Sequence, residues 1–313
     1  MGDEGFLPVA FAEHIREVFG ERADDWLARL PETVAELAER WRLAVGPPVG
    51  NLTFNWVAPA TRANGERVML KIGVPHKELA TEIAALRCYD GRGISRLLDA
   101  DADLGVLLLE RLEPGGTLIE VALRDDDEAT RIAAGVMRAL WQPLPAERMH
   151  EFISVADWHK GFERLRNAFD GTTGPLPEAL VLRAEAIYDA LHASSAPAML
   201  LHGDLHHDNI LRAERAPWLA IDPKGVLGEP AYETSAIFRN PIPHLFDWPD
   251  LELVFARRAA ILAEELGFER ERLLGWAFYG MVLSAVWTIE DEGYGWEPMI
   301  ACADVVARVM GDG

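Results

Sequence analysis

The sequence predicts an α+β fold in two parts: an antiparallel sheet with helices, then a mainly helical region. Three observations carry this expectation. Asn64-Gly65 stands between two strand-like runs, the mark of a tight antiparallel hairpin. After Gly116 the strand-like runs give way to helical periodicity. The chain has 313 residues, half of them hydrophobic, enough for two lobes with a sizeable core. The expected parts are residues 1–112, including a helical extension to about residue 45, and 113–313.

In order, residues 11–44 read as helix. Phe11, Ile15 and Val18-Phe19 open an apolar face, and Pro31-Glu32-Thr33 reads as a restart that continues through Val34, Leu37 and Trp41. The Gly46–Asn51 bend follows, then strands over Leu52–Val57 and Arg67–Ile72. Leu79, Ile83 and Leu86 share a helix face, and Arg96–Asp99 with Leu104–Leu109 read as a strand pair. Asp99, Asp101, Asp103 and Glu110 mimic a calcium loop, but Leu104 replaces the required glycine and the flanks are strands, so a polar hairpin tip is expected. Residues 125–141, 155–169 and 178–193 are periodic helices, as is most of the chain after residue 225.

Charge and composition exclude some classes. Thirty basic against 51 acidic residues give a net charge of −21, opposite to the basic footprint of nucleic-acid binders. The acidity suits a cationic small-molecule substrate, although solubility alone also accounts for it. Two cysteines, Cys88 and Cys302, are too few for a disulfide framework and fit a reducing cytoplasm. Met1–Phe6 shows no leader pattern, and no uninterrupted apolar run approaches membrane-spanning length. Neither a membrane nor an obligate protein partner is therefore expected.

The chemistry concentrates in Leu201-His202-Gly203-Asp204-Leu205-His206-His207-Asp208-Asn209 and its echo Ile221-Asp222-Pro223-Lys224-Gly225. Asp204 precedes Asn209 by five positions, the spacing of the H-R-D-x-x-x-x-N loop of phosphoryl-transfer enzymes. Asp222 follows the apolar run Trp218–Ile221. Magnesium takes hard oxygen ligands, which Asn209 and Asp222 supply, while Asp204 suits alignment of an attacking hydroxyl. Turn residues in a loop are the bland alternative; two linked matches beside strand-like runs weigh against it.

Lys71 ends an apolar strand like the lysine that grips nucleotide phosphates. Glu82 borders the next helix face and suits a pairing partner, with Glu78 one turn earlier as competitor. Gly50 and Asn51 end a bend whose amides suit phosphate approach, though a plain turn explains them too. The exit from Leu107–Leu109 offers backbone near Glu110 and Leu112 to an adenine ring. His202 reads as a buried scaffold residue bonded within its loop, and His206 and His207 as cleft-bordering; none is given a metal role.

Taken together, this order of motifs resembles the aminoglycoside phosphotransferase superfamily, which shares the bilobal protein-kinase-like fold. Lys71-Ile72-Gly73, Leu107–Arg111, Ala231-Tyr232-Glu233 and Arg239-Asn240-Pro241 add a likeness to the streptomycin 6-phosphotransferase and hydroxyurea phosphotransferase subgroup. The resemblance implies Asp204 as catalytic base, Asn209 and Asp222 on Mg²⁺, Lys71 on ATP phosphates with Glu82 as its partner, and adenine near Glu110–Leu112. It implies resistance by O-phosphorylation of a streptomycin-like aminoglycoside. Hydroxyurea, a choline-like alcohol or another metabolite is the alternative acceptor, and a nucleotide-binding pseudoenzyme the alternative class. Gly203 stands where protein kinases carry the arginine of H-R-D, and Pro223-Lys224 replaces their Phe-Gly, which argues against a phosphorylation-switched kinase.

The acceptor side is read at the end of a late helix, in Trp287, Glu290, Asp291 and Glu292. Aromatic faces beside carboxylates suit guanidinium or ammonium groups. A solvated helix end is the competing account, but acids at a helix C-terminus run against its dipole.

Overall fold

The computed structural model describes residues 6–311, so the leader reading at Met1–Gly5 lies outside the described residues. The chain divides between Glu113 and Pro114 into two compact units.

In the first unit, helices α1 (Val9–Phe19) and α2 (Glu21–Trp41) precede strands β1 (Leu43–Val45), β2 (Asn55–Arg62) and β3 (Arg67–Gly73). Helix α3 (Lys77–Tyr89) and strands β4 (Leu97–Asp101) and β5 (Val106–Glu110) follow. The strands form an antiparallel sheet in the order β1-β2-β3-β5-β4. Ile15, Leu27, Leu30 and Leu37 pack on Trp56, Leu70, Ile72 and Val106, burying the amphipathic faces of α1 and α2 on the sheet.

Two local expectations need correction, and the Asp99–Asp103 segment forms the hairpin tip expected of it. The helical extension breaks at Gly20, with φ of 56°, while Pro31 lies inside α2. Pro31 is solvent-exposed, so water can reach the carbonyl that its missing N–H leaves unbonded. The first long strand begins at Asn55, three residues late, and runs through Pro59 to Arg62. Its pleat buries Trp56, Ala58 and Ala60. The Asp99–Asp103 tip is tied into the unit: Trp41 Nε1 donates to Asp99 Oδ2 at 2.8 Å, and Arg40 pairs with Asp101 at 3.0 Å.

The second unit is mainly helical. It runs through β6 (Pro114–Thr117), α4 (Ile119–Ala122), α5 (Asp126–Leu140), β7 (Ile153–Ser154), α6 (Val155–His159), α7 (Gly161–Ala168) and α8 (Glu178–Ala193). Strands β8 (Met199–Leu201), β9 (Ile210–Ala213), β10 (Trp218–Ala220) and β11 (Val226–Gly228) carry the central motifs. Helices α9 (Ser235–Phe238), α10 (Leu251–Leu266), α11 (Arg270–Asp291) and α12 (Glu297–Val309) complete it. The helix expected over 155–169 is thus two, parted at Lys160. Two small sheets, β10-β9-β6 and β7-β11-β8, frame the loops.

Helix α11 corrects the reading that no apolar run approaches spanning length. By length and composition it is apolar enough to cross a membrane, yet 78% of its apolar window is buried in this unit. Trp276, Phe278, Tyr279 and Leu283 pack there with Phe162, Tyr188, Phe255 and Val306. Such a helix is the core of the helical unit, apolar all round because it is surrounded.

Candidate active site

Strand β8 delivers the chain into the loop His202–Asn209, and β10 delivers it to Asp222. His202 joins the two. Its carbonyl accepts the N–H groups of Lys224 at 2.8 Å and Gly225 at 3.1 Å. Its Nε2 meets Ile221 O at 2.7 Å, and its Nδ1 accepts the N–H of Asp204 at 3.2 Å. Those partners require the tautomer protonated on Nε2. The ring has no exposed surface, and burial pushes its pKa down to about 4 despite the Ile221 carbonyl and the nearby carboxylates. It is a neutral strut, as the sequence reading expects.

Asn209 donates from Nδ2 to Asp204 O at 3.0 Å, and its own carbonyl accepts Ile221 N–H at 3.0 Å. The first bond leaves Oδ1 as the amide's acceptor. The second ties Asn209 to the residue before Asp222. Asp222 itself has φ of 59°, a left-handed conformation uncommon for a non-glycine residue, of the kind that clusters at functional sites. The donor set of an amide oxygen and a carboxylate fits magnesium, which takes one or two carboxylates and completes its shell with water and phosphate oxygens. Among the described residues no group of three or more His, Cys, Asp or Glu side chains is gathered as a self-sufficient metal site.

Asp204 keeps 28% of its side-chain surface exposed. Burial pushes its carboxyl up, but charge at His206, Arg239 and Lys224 outweighs burial and holds it below the usual carboxylate range. Arg239 Nη2 donates to Asp204 Oδ1 at 3.0 Å, and His206 Nε2 stands 3.7 Å from Oδ2. His207 departs from the cleft-bordering expectation: it is fully buried, with no hydrogen-bond partner for either ring nitrogen among the described residues.

Glu233 was not singled out as a site residue, although it ends the Ala231-Tyr232-Glu233 motif. Its carboxylate accepts His202 N–H at 2.7 Å on Oε2 and Gly203 N–H at 2.9 Å on Oε1. Burial pushes it up to about 7; the two N–H groups and Arg239 act the other way, and Asp204 adds to the rise. Gly203 has φ of 86°, and a β-carbon there would lie 3.0 Å from both Trp158 Cη2 and Val226 Cγ1. That crowding, with the positive φ, accounts for glycine at this position.

On the acceptor side, Trp287 packs edge-on against Trp158 at 5.3 Å between centroids, and Trp158 abuts the catalytic loop at Gly203. Trp158 therefore links Trp287 to the loop, a role that no short-range sequence signal marks. Glu290 has a partner that the sequence reading did not foresee. It forms a two-pronged pair with Arg164 of α7, at 2.8 and 3.0 Å, so its charge is already matched. Asp291 ends α11 and Glu292 caps it.

In the first unit, Lys71 lies in the middle strand of the sheet, opposite Val57 in β2 and Leu107 in β5. Its Nζ donates to both Glu82 oxygens, at 2.8 and 2.9 Å, and the two residues are only 5% and 7% exposed. Glu78 lies in the exposed first turn of α3, whereas Glu82 is buried with Lys71 and bonded to it. Glu110 donates its N–H to Arg96 O at 2.9 Å and accepts Arg96 N–H on its side chain at 3.0 Å. The backbone of Glu110 is thus engaged within the sheet, whereas buried Leu112 lies just past it. Gly50 and Asn51 form an exposed turn between β1 and β2.

A five-stranded antiparallel unit with a buried Lys–Glu pair, and a helical unit with an Asp-x-x-x-x-Asn loop and a following Asp, define a kinase-like phosphotransferase. Solved structures share the fold. Choline kinase LicA from Streptococcus pneumoniae matches with a TM-score of 0.62 at 14% identity, over 91% of this chain and 100% of that one. A thermostable mutant of aminoglycoside phosphotransferase APH(4)-Ia, in ternary complex with ADP and hygromycin B, matches with a TM-score of 0.63 at 13% identity, over 89% and 98%.

The chain belongs to the aminoglycoside/hydroxyurea antibiotic resistance kinase family, whose model matches residues 42–292. Streptomycin 6-kinase from Streptomyces glaucescens is 32% identical over 302 residues, 93% of this chain and 94% of that one. Hydroxyurea phosphotransferase from Kitasatospora aureofaciens is 33% identical over 296 residues, 91% and 81% of the two chains.

Proposed function

We propose that this kinase transfers the γ-phosphoryl group of ATP to a hydroxyl of a streptomycin-like aminoglycoside, in a cytoplasmic setting. The observation that carries the reading is the stitching of Asp204, Asn209 and Asp222 through His202 and Ile221. Asp204 Oδ2 aligns the acceptor hydroxyl and takes its proton as the new O–P bond forms and the bond to the ADP leaving group breaks. Lys71, held by Glu82, orients the α and β phosphates, and backbone beyond Glu110 at Leu112 meets the adenine. Asn209 Oδ1 and the Asp222 carboxylate would hold magnesium, which supplies charge neutralisation for the phosphates. Catalysis in such a site is mainly positioning and electrostatics, because a loose phosphoryl-transfer transition state asks little of a strong base.

Streptomycin leads among acceptors because the streptomycin 6-kinase relative aligns over most of both chains. The Trp158–Trp287 face beside Gly203 also suits stacking against a cationic guanidinium. The hydroxyurea phosphotransferase relative supports a second reading, with hydroxyurea as acceptor. A coupled ADP-release screen against streptomycin, other aminoglycosides, hydroxyurea and choline decides. Streptomycin-dependent release is expected, abolished by Asp204→Ala while ATP still binds. Release with hydroxyurea alone would install the second reading, and ATP binding without turnover on any acceptor would make the chain a pseudoenzyme.

A further inference from the structure

We propose that Arg239 is the positioning residue for Asp204, holding one carboxylate oxygen so that the other is presented to the acceptor hydroxyl. The inference rests on the reading of Asp204 as the catalytic base. It is carried by the asymmetry of the carboxylate. Oδ1 is bonded to Arg239 Nη2 at 3.0 Å, while Oδ2 lies 3.7 Å from His206 Nε2, beyond hydrogen-bond range. An aspartate's terminal torsion is broad and nearly two-fold, so an unbonded carboxylate would offer either oxygen. Fixing Oδ1 selects the edge that remains.

The arginine is built to do this. It is only 8% exposed, and among the described residues Asp204 is the acceptor for its guanidinium. Its backbone is anchored from behind. The next residue, Asn240, donates from Nδ2 to Ala236 O at 2.9 Å and accepts at its carbonyl from Arg258 Nη1 at 2.8 Å. Arg258 is itself fully buried, bonded to Asp126 at 2.7 Å and stacked over Trp248. The same stretch of chain grips the loop a second time, through Glu233 on the His202 and Gly203 amides. Segment 230–240 therefore holds the backbone of residues 202–203 and the side chain of residue 204 as one piece.

The charged and titratable groups facing Asp204 come from every element around it. They are His202 and His206 of its own loop, Lys224 of the Asp222 turn, Tyr232 and Glu233 of the following segment, and Arg239. Removing Arg239 deletes the donor that fixes Oδ1, so either carboxylate oxygen could then face the acceptor hydroxyl.

The test uses the full chain with Arg239→Met, Arg239→Lys and Asp204→Asn. Turnover of ATP is measured with the acceptor that the ADP-release screen identifies, and ATP binding is measured separately for each variant. Arg239→Met should lower kcat about ten- to a hundredfold, with less than about a twofold change in KM for ATP. Arg239→Lys, which keeps the charge but not the planar fork, should recover only part of that kcat. Undiminished kcat in Arg239→Met overturns the inference, as does a loss that falls on KM for ATP instead of kcat. Arg239→Lys carries the test if Arg239→Met does not fold. Full turnover in Asp204→Asn would instead remove the base reading beneath the proposal.

Discussion

Glu82→Ala is the sharpest probe of the first unit. The perturbation removes the carboxylate that meets Lys71 Nζ at 2.8 and 2.9 Å, in a pair only 5% and 7% exposed. Solvent screens little at that depth, and the ammonium loses both of these charge-assisted bonds. Breaking one partner of a buried pair costs about 3–5 kcal/mol. Lys71→Met removes the same two bonds from Glu82. The double variant Lys71→Met/Glu82→Leu removes both charges, and apolar replacement of a whole buried pair is near neutral. Urea unfolding followed by far-ultraviolet circular dichroism and by tryptophan fluorescence, to which Trp26, Trp41 and Trp56 of this unit contribute, reads the three variants. The expected pattern is two large losses and a recovery in the double variant. The recovered double variant should still lose ATP affinity. A single substitution costing under about 1 kcal/mol, or a double variant as unstable as either single one, refutes the stability argument. Wild-type ATP affinity in the folded double variant refutes the phosphate role of Lys71.

Glu233 links stability to pH. Its folded pKa is raised from the ordinary 4.5 to about 7, chiefly by burial, so between those values the folded chain holds a proton that the unfolded chain has lost. The contribution is therefore fully favourable below pH 4.5 and is lost as pH rises to about 7, at 1.36 kcal/mol per unit or roughly 3 kcal/mol in all. Glu233→Gln cannot titrate, so its unfolding free energy relative to wild type should improve by about that amount between pH 4.5 and 7.5; a constant difference would assign the titration elsewhere. Gly203→Ala places a β-carbon 3.0 Å from Trp158 and Val226 at φ of 86°, and should cost roughly 2–4 kcal/mol by urea unfolding. A loss under about 1 kcal/mol would show that the loop relaxes around it.

What the sequence made legible is local. Asp204 and Asn209 share one loop, so their spacing survives folding unchanged and the backbone bond between them follows from it. The boundaries of α5 were legible because the Asp125 cap and the apolar periodicity agree there, and those of α8 from its periodicity, with no side chain capping its start. The choice between Glu78 and Glu82 was not, since both lie on one side of α3 and differ in depth only once that helix is seen to start at Lys77. Pro31 looked like a helix start because proline favours first turns, and only the folded α2 reveals that its side faces water. Glu290 looked like a substrate carboxylate because Arg164, 126 residues away, is invisible to any local pattern. Glu233 and Arg239 were seen as motif letters without roles for the same reason: their partners lie about thirty residues upstream.

Gly203 brings these distances together. In H-R-D loops an arginine stands directly before the catalytic aspartate, and here that position is closed to any side chain by a positive φ and by Trp158 and Val226. The cation that reaches the loop instead comes from Arg239, buried, 35 residues on, and carried by the same segment whose Glu233 holds the loop amides. An arginine whose guanidinium is exposed can be recruited by an added phosphate, because the incoming anion competes for its donors. Arg239 is bonded to Asp204 inside its own folding unit, behind Arg258 and Asp126, with little surface for an incoming anion to reach. The loop is thereby ordered by contacts within its own unit, the Arg239 pair and the Glu233 bonds among them, which suits an enzyme whose task is to act on a small molecule whenever it arrives.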